Sequence, residues 1–436
     1  MNDEKLIPKL RFDYEPSDFK RYKLGELVEN VIAGATPKTS VEKYWNGGDI
    51  PWLSSGEVHK KYIYFTDKFI TSEGYNNSST KLIPKNSVLI ALAGQGKTRG
   101  TVAINKIELC TNQSIASIIP NNNLYYKFLF YYLESKYNYL RALSSSDGGR
   151  GGLNLKLIRS IPIKIPSFNE QKNISNFINS IDRKITLFER KLNSYQDFKK
   201  YLMQQIFAQK LRFNFTDGWK TVKLESLIKK GKAGGTPSST NPDYYNGNIP
   251  FLSIKDMTEQ GKYIFKTEKS ITEEGLNNSS AWIIPKNSLL YSIYASIGLV
   301  SINRSDISTS QAIYGIILKD GVSLEYMYYY LTYFKKNIHK YIETGTQGNL
   351  NAKLLKSFEI LLPSLEEQKM IVNVLSLVDE KIENSQKEIE KINEFKKGLL
   401  QQMFNYVRIL YNLFEILIFL DHLLIFLIVF HTHYYS

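Results

Sequence analysis

Pro166-Ser167-Phe168-Asn169-Glu170-Gln171 opens a run that meets neither proline nor glycine again until Gly218. Within it, Ile174, Ile178, Ile181, Ile185, Phe188, Leu192, Tyr195, Lys199, Leu202 and Ile206 alternate steps of four and three. All but the lysine are apolar or aromatic, so the spacing predicts a heptad seam along one helix from Asn169 to Phe207. At about 1.5 Å per residue such a helix is roughly 58 Å long. Few small globular domains need such a rod.

The rod recurs. Pro363-Ser364-Leu365-Glu366-Glu367-Gln368 repeats the opening 197 positions later, with a seam of Ile371, Leu375, Val378, Ile382, Ser385, Ile389, Ile392, Lys396, Leu399 and Met403. Lys199 and Lys396 fall at the same seam position, and both runs end Leu-(Met/Leu)-Gln-Gln-(Ile/Met)-Phe. A seam lysine costs stability but can fix register or orientation. Two such helices in register predict a dedicated pair, and an antiparallel pairing puts the two lysines at opposite ends.

The duplication extends to the rest of the chain. Lys23-Leu24-Gly25-Glu26-Leu27 aligns with Lys223-Leu224-Glu225-Ser226-Leu227, and Gly34-Ala35-Thr36-Pro37 with Gly234-Gly235-Thr236-Pro237. Asp49 to Ser54 matches Asn248 to Ser253, and 11 of 15 residues are identical between Glu73–Ser87 and Glu274–Ser288. Each half begins with a short amphipathic segment and a Gly/Thr/Pro loop. Short β-branched or aromatic runs follow, such as Lys61–Phe65, Ser87–Ala91 and Thr101–Ile104, which read as strands. A Tyr- and Leu-rich helical stretch comes next (Leu124–Leu143; Ser323–Tyr341), then a Gly/Ser/Asn loop (144–154; 344–351). A last short strand (Ile161–Ile165; Phe358–Leu362) leads into the rod. The fold class is therefore α+β. The predicted domains are a first globule at 1–165, a helix at 166–210, a second globule at 211–362, a second helix at 363–404 and a hydrophobic tail at 405–436. Residues 92–112 and 293–310 share almost nothing, so one frame carries two different sets of loops.

With 436 residues, 22% of them charged and 43% hydrophobic, the chain is globular material for two or three domains. A net charge of +14 favours polyanions, either nucleic acid or an acidic membrane surface. The 30 tyrosines and 23 phenylalanines, interleaved with Asn, Ser and Lys, suit surfaces that touch bases and phosphates. One cysteine, Cys110, and five histidines exclude a disulfide framework within the chain and a Cys/His zinc site. The expected compartment is the reducing cytoplasm, and the N-terminus has no apolar core of signal-peptide length.

Ala91-Leu92-Ala93-Gly94-Gln95-Gly96-Lys97-Thr98 approaches a phosphate-cradling loop, but such a loop must open a helix. Here Arg99–Ile104 reads as another strand, and the second copy has Ile293-Tyr294-Ala295-Ser296-Ile297-Gly298 without the Gly-Lys-Thr. A basic hairpin that approaches DNA is the alternative. Asn241-Pro242-Asp243-Tyr244 resembles the tetrapeptide of amino-methyltransferases without its second proline, and reads as a turn. No catalytic or metal-ligating constellation is present. The loops before the rods offer Arg150 for guanine and Gln347 and Asn349 for adenine. The remaining DNA-contact candidates are Trp52, Ser54, Lys97, Arg99, Ser253, Lys255, Tyr294 and Ser296.

Two divergent globules alternating with two repeated helices, each opening (Ile)-x-(Ile/Leu)-Pro-Ser-x-x-Glu-Gln, resemble the DNA-specificity subunit of type I restriction–modification enzymes, over about residues 18–404. The resemblance implies a non-catalytic chain with two target-recognition domains, each reading half of a split site on double-stranded DNA. It implies an antiparallel coiled coil that sets the spacer and docks two modification (methyltransferase) subunits. Two restriction subunits would complete an adenine methyltransferase and endonuclease. S-adenosylmethionine would belong to the modification subunit and ATP with magnesium to the restriction subunit, with no cofactor bound by this chain. Candidate helix-pairing and subunit-docking residues are Ile178, Ile181, Ile185, Phe188, Leu192, Lys199, Leu375, Val378, Ile382, Ile389, Ile392 and Lys396. Two other readings stand beside it: a self-sufficient sequence-specific DNA-binding protein, and an NTP-using enzyme with the Gly96-Lys97-Thr98 loop. The tail departs from the family pattern. Its run Ile416–Phe430 is broken by Asp421 and His422, and it reads as an altered terminus rather than a membrane anchor.

Overall fold

The computed structural model describes residues 19–94, 97–143, 152–213, 215, 217–294, 296–340 and 350–404. The chain divides into two compact units, Met1–Leu187 with Ile389–Ser436, and Phe188–Glu388. Each long helix is therefore continuous through a unit boundary. Phe168–Phe207 begins in the first unit and ends in the second, while Leu365–Phe404 does the reverse.

In the first unit a five-stranded sheet runs in the order Val28–Ala33, Ile115–Pro120, Val88–Ala91, Val102–Asn105, Tyr62–Ile63. Its pairings are antiparallel except the last, which is parallel. The central strand Val88–Ala91 is buried at every position, because alternate side chains enter different cores. Val88 and Ile90 pack with Phe128, Leu129 and Leu133 of the helix Tyr126–Ser135, whereas Leu89 and Ala91 pack with Leu53, Val58 and Ile83. A three-stranded sheet (Lys68–Ile70, Ile50–Leu53, Cys110–Thr111) flanks the second core. Lys20–Lys23 and Pro162–Ile165 form an antiparallel ribbon.

The second unit repeats this plan strand for strand. Its large sheet runs Ile228–Ala233, Ile313–Leu318, Leu289–Ser292, Val300–Asn303, Tyr263–Ile264, its small sheet Lys269–Ile271, Tyr245–Leu252, Ser308–Thr309, and its ribbon Lys220–Lys223 with Glu359–Leu362. The repeated glycines have a physical cause. A Cβ on Gly34 would lie 2.0 Å from the Thr111 carbonyl oxygen, and one on Gly234 2.1 Å from that of Thr309, so only glycine lets the loop approach the strand.

The Pro-Ser-x-x-Glu-Gln motif starts each rod. The Ser167 hydroxyl accepts from the Glu170 N–H (3.2 Å) and the Ser364 hydroxyl from the Glu367 N–H (3.3 Å), the N-cap arrangement. The glutamine then clips the helix to its globule. Gln171 accepts from the Tyr125 N–H (2.8 Å) and donates to the carbonyls of Asn123 (3.0 Å) and Pro166 (3.2 Å). Gln368 accepts from the Ser323 N–H (2.8 Å) and donates to Pro363 (3.0 Å). Glu367, itself buried, receives a two-pronged pair from Arg212 at 2.8 and 3.1 Å. The first rod ends where Gln209 turns to φ +56° and Leu211 N–H returns to the Gln205 carbonyl.

The structure sharpens several expectations. Of Lys61–Phe65 only Tyr62–Ile63 is strand, and the amphipathic starts are the ribbon strands. Short helices, Leu155–Ser160 and Ala352–Lys356, precede the last strands, capped by the side chains of Asn154 and Asn351. Both caps sit at the ends of segments that read as loops.

Candidate nucleic-acid interface and helix pairing

The divergent stretch after Val88–Ala91 is a hairpin into Val102–Asn105, so Lys97 and Thr98 lead to a strand. Among the described residues no helix N-terminus follows them, which a phosphate-cradling loop requires. Lys97 is exposed, with its carbonyl accepting from the Tyr137 hydroxyl (2.8 Å), and Arg99 is half-buried. In the second unit the matching turn exposes Tyr294 (43%) and Ser296, the latter at φ +53°. The Ser296 carbonyl accepts from the Ser292 hydroxyl at 2.7 Å.

Other candidates have defined partners within the fold. Trp52 is buried against Trp45 edge-to-face (5.1 Å) and donates its indole N–H to the Ala35 carbonyl (3.0 Å), so it supports the Gly34–Pro37 loop from beneath. Ser54 caps the turn Ser55–Lys60 reciprocally with Glu57, and Ser253 caps the helix Ile254–Gln260 with Asp256 (2.6 and 2.8 Å). Lys255 is exposed and paired with Glu268 (2.8 Å). Arg150, Gln347 and Asn349 lie outside the described residues.

Sequence reasoning passed over two matched features. Tyr64 (64% exposed) and Phe265 (69% exposed) follow the strands Tyr62–Ile63 and Tyr263–Ile264 at equivalent positions, each presenting an exposed ring. Thr36 donates to the Gln113 side chain (2.5 Å), and Thr236 to Gln311, so both copies hold an exposed glutamine amide beside the Gly/Thr/Pro loop. The signal was available as a large aromatic residue after the same Lys-Tyr-Ile run in both copies.

Within each unit the start of one long helix lies with the end of the other, which is the antiparallel sense. In the first unit Ile178, Ile181 and Ile185 share a core with Leu399, Leu400, Met403 and Phe404, with Ile392 at its margin. In the second, Leu375 and Val378 share a core with Leu202, Met203, Ile206 and Phe207, with Ile382 at its margin. Phe188, Leu192 and Ile389 are half-buried.

The seam lysines enter matched ion networks. Lys396 Nζ, its side chain 7% exposed, lies 2.7 Å from Glu134 and 2.8 Å from Asp182, which also face Lys61 at 3.3 and 3.7 Å. The Tyr131 hydroxyl donates to Asp182 at 3.0 Å. In the second unit Lys199, 21% exposed, lies 2.6 Å from Asp379, which Lys262 faces at 3.6 Å. The Tyr329 hydroxyl donates to Asp379 at 2.6 Å. Thr332 stands where Glu134 stands in the first copy, so two ammoniums meet two carboxylates in one unit and only one in the other. Burial lowers the Lys61 pKa, but Glu134 and Asp182 outweigh it and the net shift is upward. Burial also lowers that of Lys262, where Asp379 offsets only part and Lys199 adds to the fall.

The family model for the "type I restriction modification DNA specificity domain" matches residues 16–194 and again 216–394. The chain belongs to that family. Among characterised members it is 35% identical over 191 residues to the type I restriction enzyme MjaIX specificity subunit of Methanocaldococcus jannaschii, covering 43% of this chain and 44% of that one. The match to the EcoR124I/EcoR124II specificity subunit of Escherichia coli is 26% identical and covers 43% and 52%. The chain thus spans about half the length of these two relatives. With the MjaVIII specificity subunit of M. jannaschii the alignment covers 88% and 92% at 23% identity. The fold is that of the type I restriction–modification S subunit from M. genitalium, with a TM-score of 0.55 and 15% identity over 92% of this chain and all of that one. As a specificity-family fold, its duplicated motif is explained residue by residue by the serine cap, the glutamine clip and the lysine network. Among the described residues no helix is long and apolar enough to cross a membrane, and no His/Cys/Asp/Glu group is placed to hold a metal.

Proposed function

We propose that this chain is the DNA-specificity subunit of a type I restriction–modification complex, and that each globule reads one half of a bipartite site. The observation that carries it is the repeated frame with unlike loops: identical strand order in both units, joined to hairpin turns 92–99 and 293–297 that differ in length and sequence. Lys97, Arg99, Tyr294 and Ser296 on those hairpins are proposed contacts, with Tyr64 and Phe265 as stacking rings. Arg150, Gln347 and Asn349 on the loops before the rods are proposed base readers. The excess of basic residues supports salt-dependent attraction to the phosphate backbone.

The long helices, by this reading, set the spacer between half-sites and dock two modification subunits. Those subunits would supply S-adenosylmethionine and adenine methylation, and two restriction subunits ATP- and magnesium-dependent cleavage. The domain limits 1–165, 166–210, 211–362 and 363–404, and a cytoplasmic location, belong to the same proposal; the tail 405–436 lies outside the described residues. The test is to exchange residues 18–160 for those of a homologous globule and map methylated adenines in cells that carry the partner subunits. One half-site should change while the other and the spacer length persist. A wholly new recognition sequence would refute the modular reading. Deleting one heptad from each rod should shorten the spacer, and an unchanged spacer would remove the helices' ruler role.

A further inference from the structure

Each unit carries the same exposed polar pair on surroundings that differ. Thr36 donates its hydroxyl to Gln113 in the first unit and Thr236 to Gln311 in the second, and both glutamines are exposed. The pairs rest on one backbone clamp. The Ala35 N–H donates to the Thr111 carbonyl at 2.9 Å, and the Gly235 N–H to that of Thr309 at 3.0 Å. Beneath the clamp the support is not the same. Trp52 donates to the Ala35 carbonyl, whereas Phe251 at the matched position has no donor. A Cβ on Gly235 would lie 2.1 Å from the Ser280 hydroxyl oxygen, while Ala35 carries one. The flanking residues differ as well, with Lys38 against Ser238, Asn112 against Ser310 and Ser114 against Ala312.

An exposed hydrogen bond adds little to stability, because water offers each group a partner. Packing therefore does not account for a pair that stays the same while its buried support and its neighbours change. A common contact outside the chain does. Each glutamine oxygen accepts from its threonine, and among the described residues neither amide N–H2 group donates to a partner. The place of the pair says what that contact is. The carbonyl of the next residue accepts from the first residue of the divergent hairpin: Ser114 from the Leu92 N–H at 2.8 Å, and Ala312 from the Ile293 N–H at 2.9 Å. Each glutamine thus stands one residue from the bond that fastens its hairpin to the sheet. An uncharged donor, identical in both copies and beside the segment that differs, suits the part of a duplex that does not vary with sequence.

We propose that Gln113 and Gln311 donate to phosphate oxygens of the DNA backbone, each held by its threonine, so that both globules take the same register on their half-sites while the hairpins read the bases. The inference rests on the reading of this chain as a DNA-specificity subunit. The test uses the full chain in complex with its modification subunits and two labelled duplexes, followed by fluorescence anisotropy. One duplex carries the site mapped from methylated adenines, and in the other both half-sites are scrambled. Gln113→Ala and Gln311→Ala should each weaken both duplexes by the same factor, about two- to tenfold for one neutral hydrogen bond. The methylated sequence should not change. Nor should the slope of log affinity against log salt, because an uncharged amide displaces no counterion. Gln113→Glu, of the same shape, should lose more than Gln113→Ala by setting a carboxylate against a phosphate, and Thr36→Val should give part of the same uniform loss. Circular dichroism should match the native chain throughout. Unchanged affinity in both alanine variants overturns the proposal. A loss confined to the site-bearing duplex, or a methylated sequence relaxed at one base, overturns it by making the glutamine a base reader. Loss of the modification subunits from the variant complexes with DNA affinity of the chain unchanged overturns it by making the pair a protein contact. A native complex that binds neither duplex refutes the DNA-specificity reading itself, and this inference with it.

Discussion

Replacing Lys396 by methionine keeps the aliphatic stem and removes the most buried ammonium from a group of four charges whose other cation, Lys61, is exposed. Glu134 and Asp182 then face Lys61 alone, with one carboxylate left uncompensated. Removing one partner of a buried pair costs about 3–5 kcal/mol. The same substitution at Lys199 leaves Asp379 facing Lys262, a balanced pair, and should cost about 1 kcal/mol, the net worth of one hydrogen-bonded contact. The same change at the same heptad position should therefore differ severalfold between units. Hydrogen exchange on the full chain reads each unit separately. Protection in 125–143 and 389–404 should fall for Lys396→Met, while 188–207 and 324–334 should hardly move for Lys199→Met. Glu134→Thr, which installs the residue at matched position 332, should recover most of the loss in a double-mutant cycle. Equal losses in the two units, a larger loss at Lys199, or no rescue by Glu134→Thr would refute the charge-balance reasoning.

Gly34→Ala should unfold or severely destabilise the first globule, because its Cβ meets the Thr111 backbone, and soluble yield with circular dichroism checks it. Tyr64→Ala and Phe265→Ala should leave thermal stability within about 0.5 kcal/mol of the native chain but weaken DNA binding in a gel-shift titration, since both rings are exposed. Ser253→Ala should cost about 1 kcal/mol through the lost cap and leave the methylated sequence unchanged. Burial, with nearby carboxylates adding to it, pushes the Tyr62 phenol up to about 12 and raises Tyr131 and Tyr329 further. The folded state therefore holds phenolic protons that the unfolded state releases near pH 10, so stability should fall as pH rises beyond about 10. Tyrosinate absorbance and unfolding should then appear together in an alkaline titration.

The rods, the duplication and the strand runs were legible because each rests on periodicity or on repetition, which survive without three-dimensional information. Ile178 and Leu375 announced their burial by heptad spacing, and Ser167 and Ser364 announced helix starts. Trp52, Ser54 and Ser253 were harder. A tryptophan or serine in a repeated motif looks equally like a contact and like scaffold, and the bonds to the Ala35 carbonyl and to the Glu57 and Asp256 carboxylates join atoms that the motif alone does not pair. Gln171 was visible as a motif letter, but its bonds to Asn123 and Tyr125 join residues that no local pattern connects. The lysine networks were half legible: the seam lysines stood out, while no local pattern sets Glu134, Asp182 and Asp379 apart from other acidic residues.

The two-stranded ribbons have an evolutionary consequence. Lys20–Lys23 lies beside Pro162–Ile165, and Lys220–Lys223 beside Glu359–Leu362, so the chain enters and leaves each globule at adjacent backbone positions. A globule joined through such a handle is a cassette: recombination within the ribbon can replace everything between its strands while the rods and their clips keep their sequence. Because the two handles have the same register, with each entry strand antiparallel to its exit, a cassette from one position fits the other. New combinations of globules can therefore arise by shuffling within one gene, with no change to the rods or to the clips that start them.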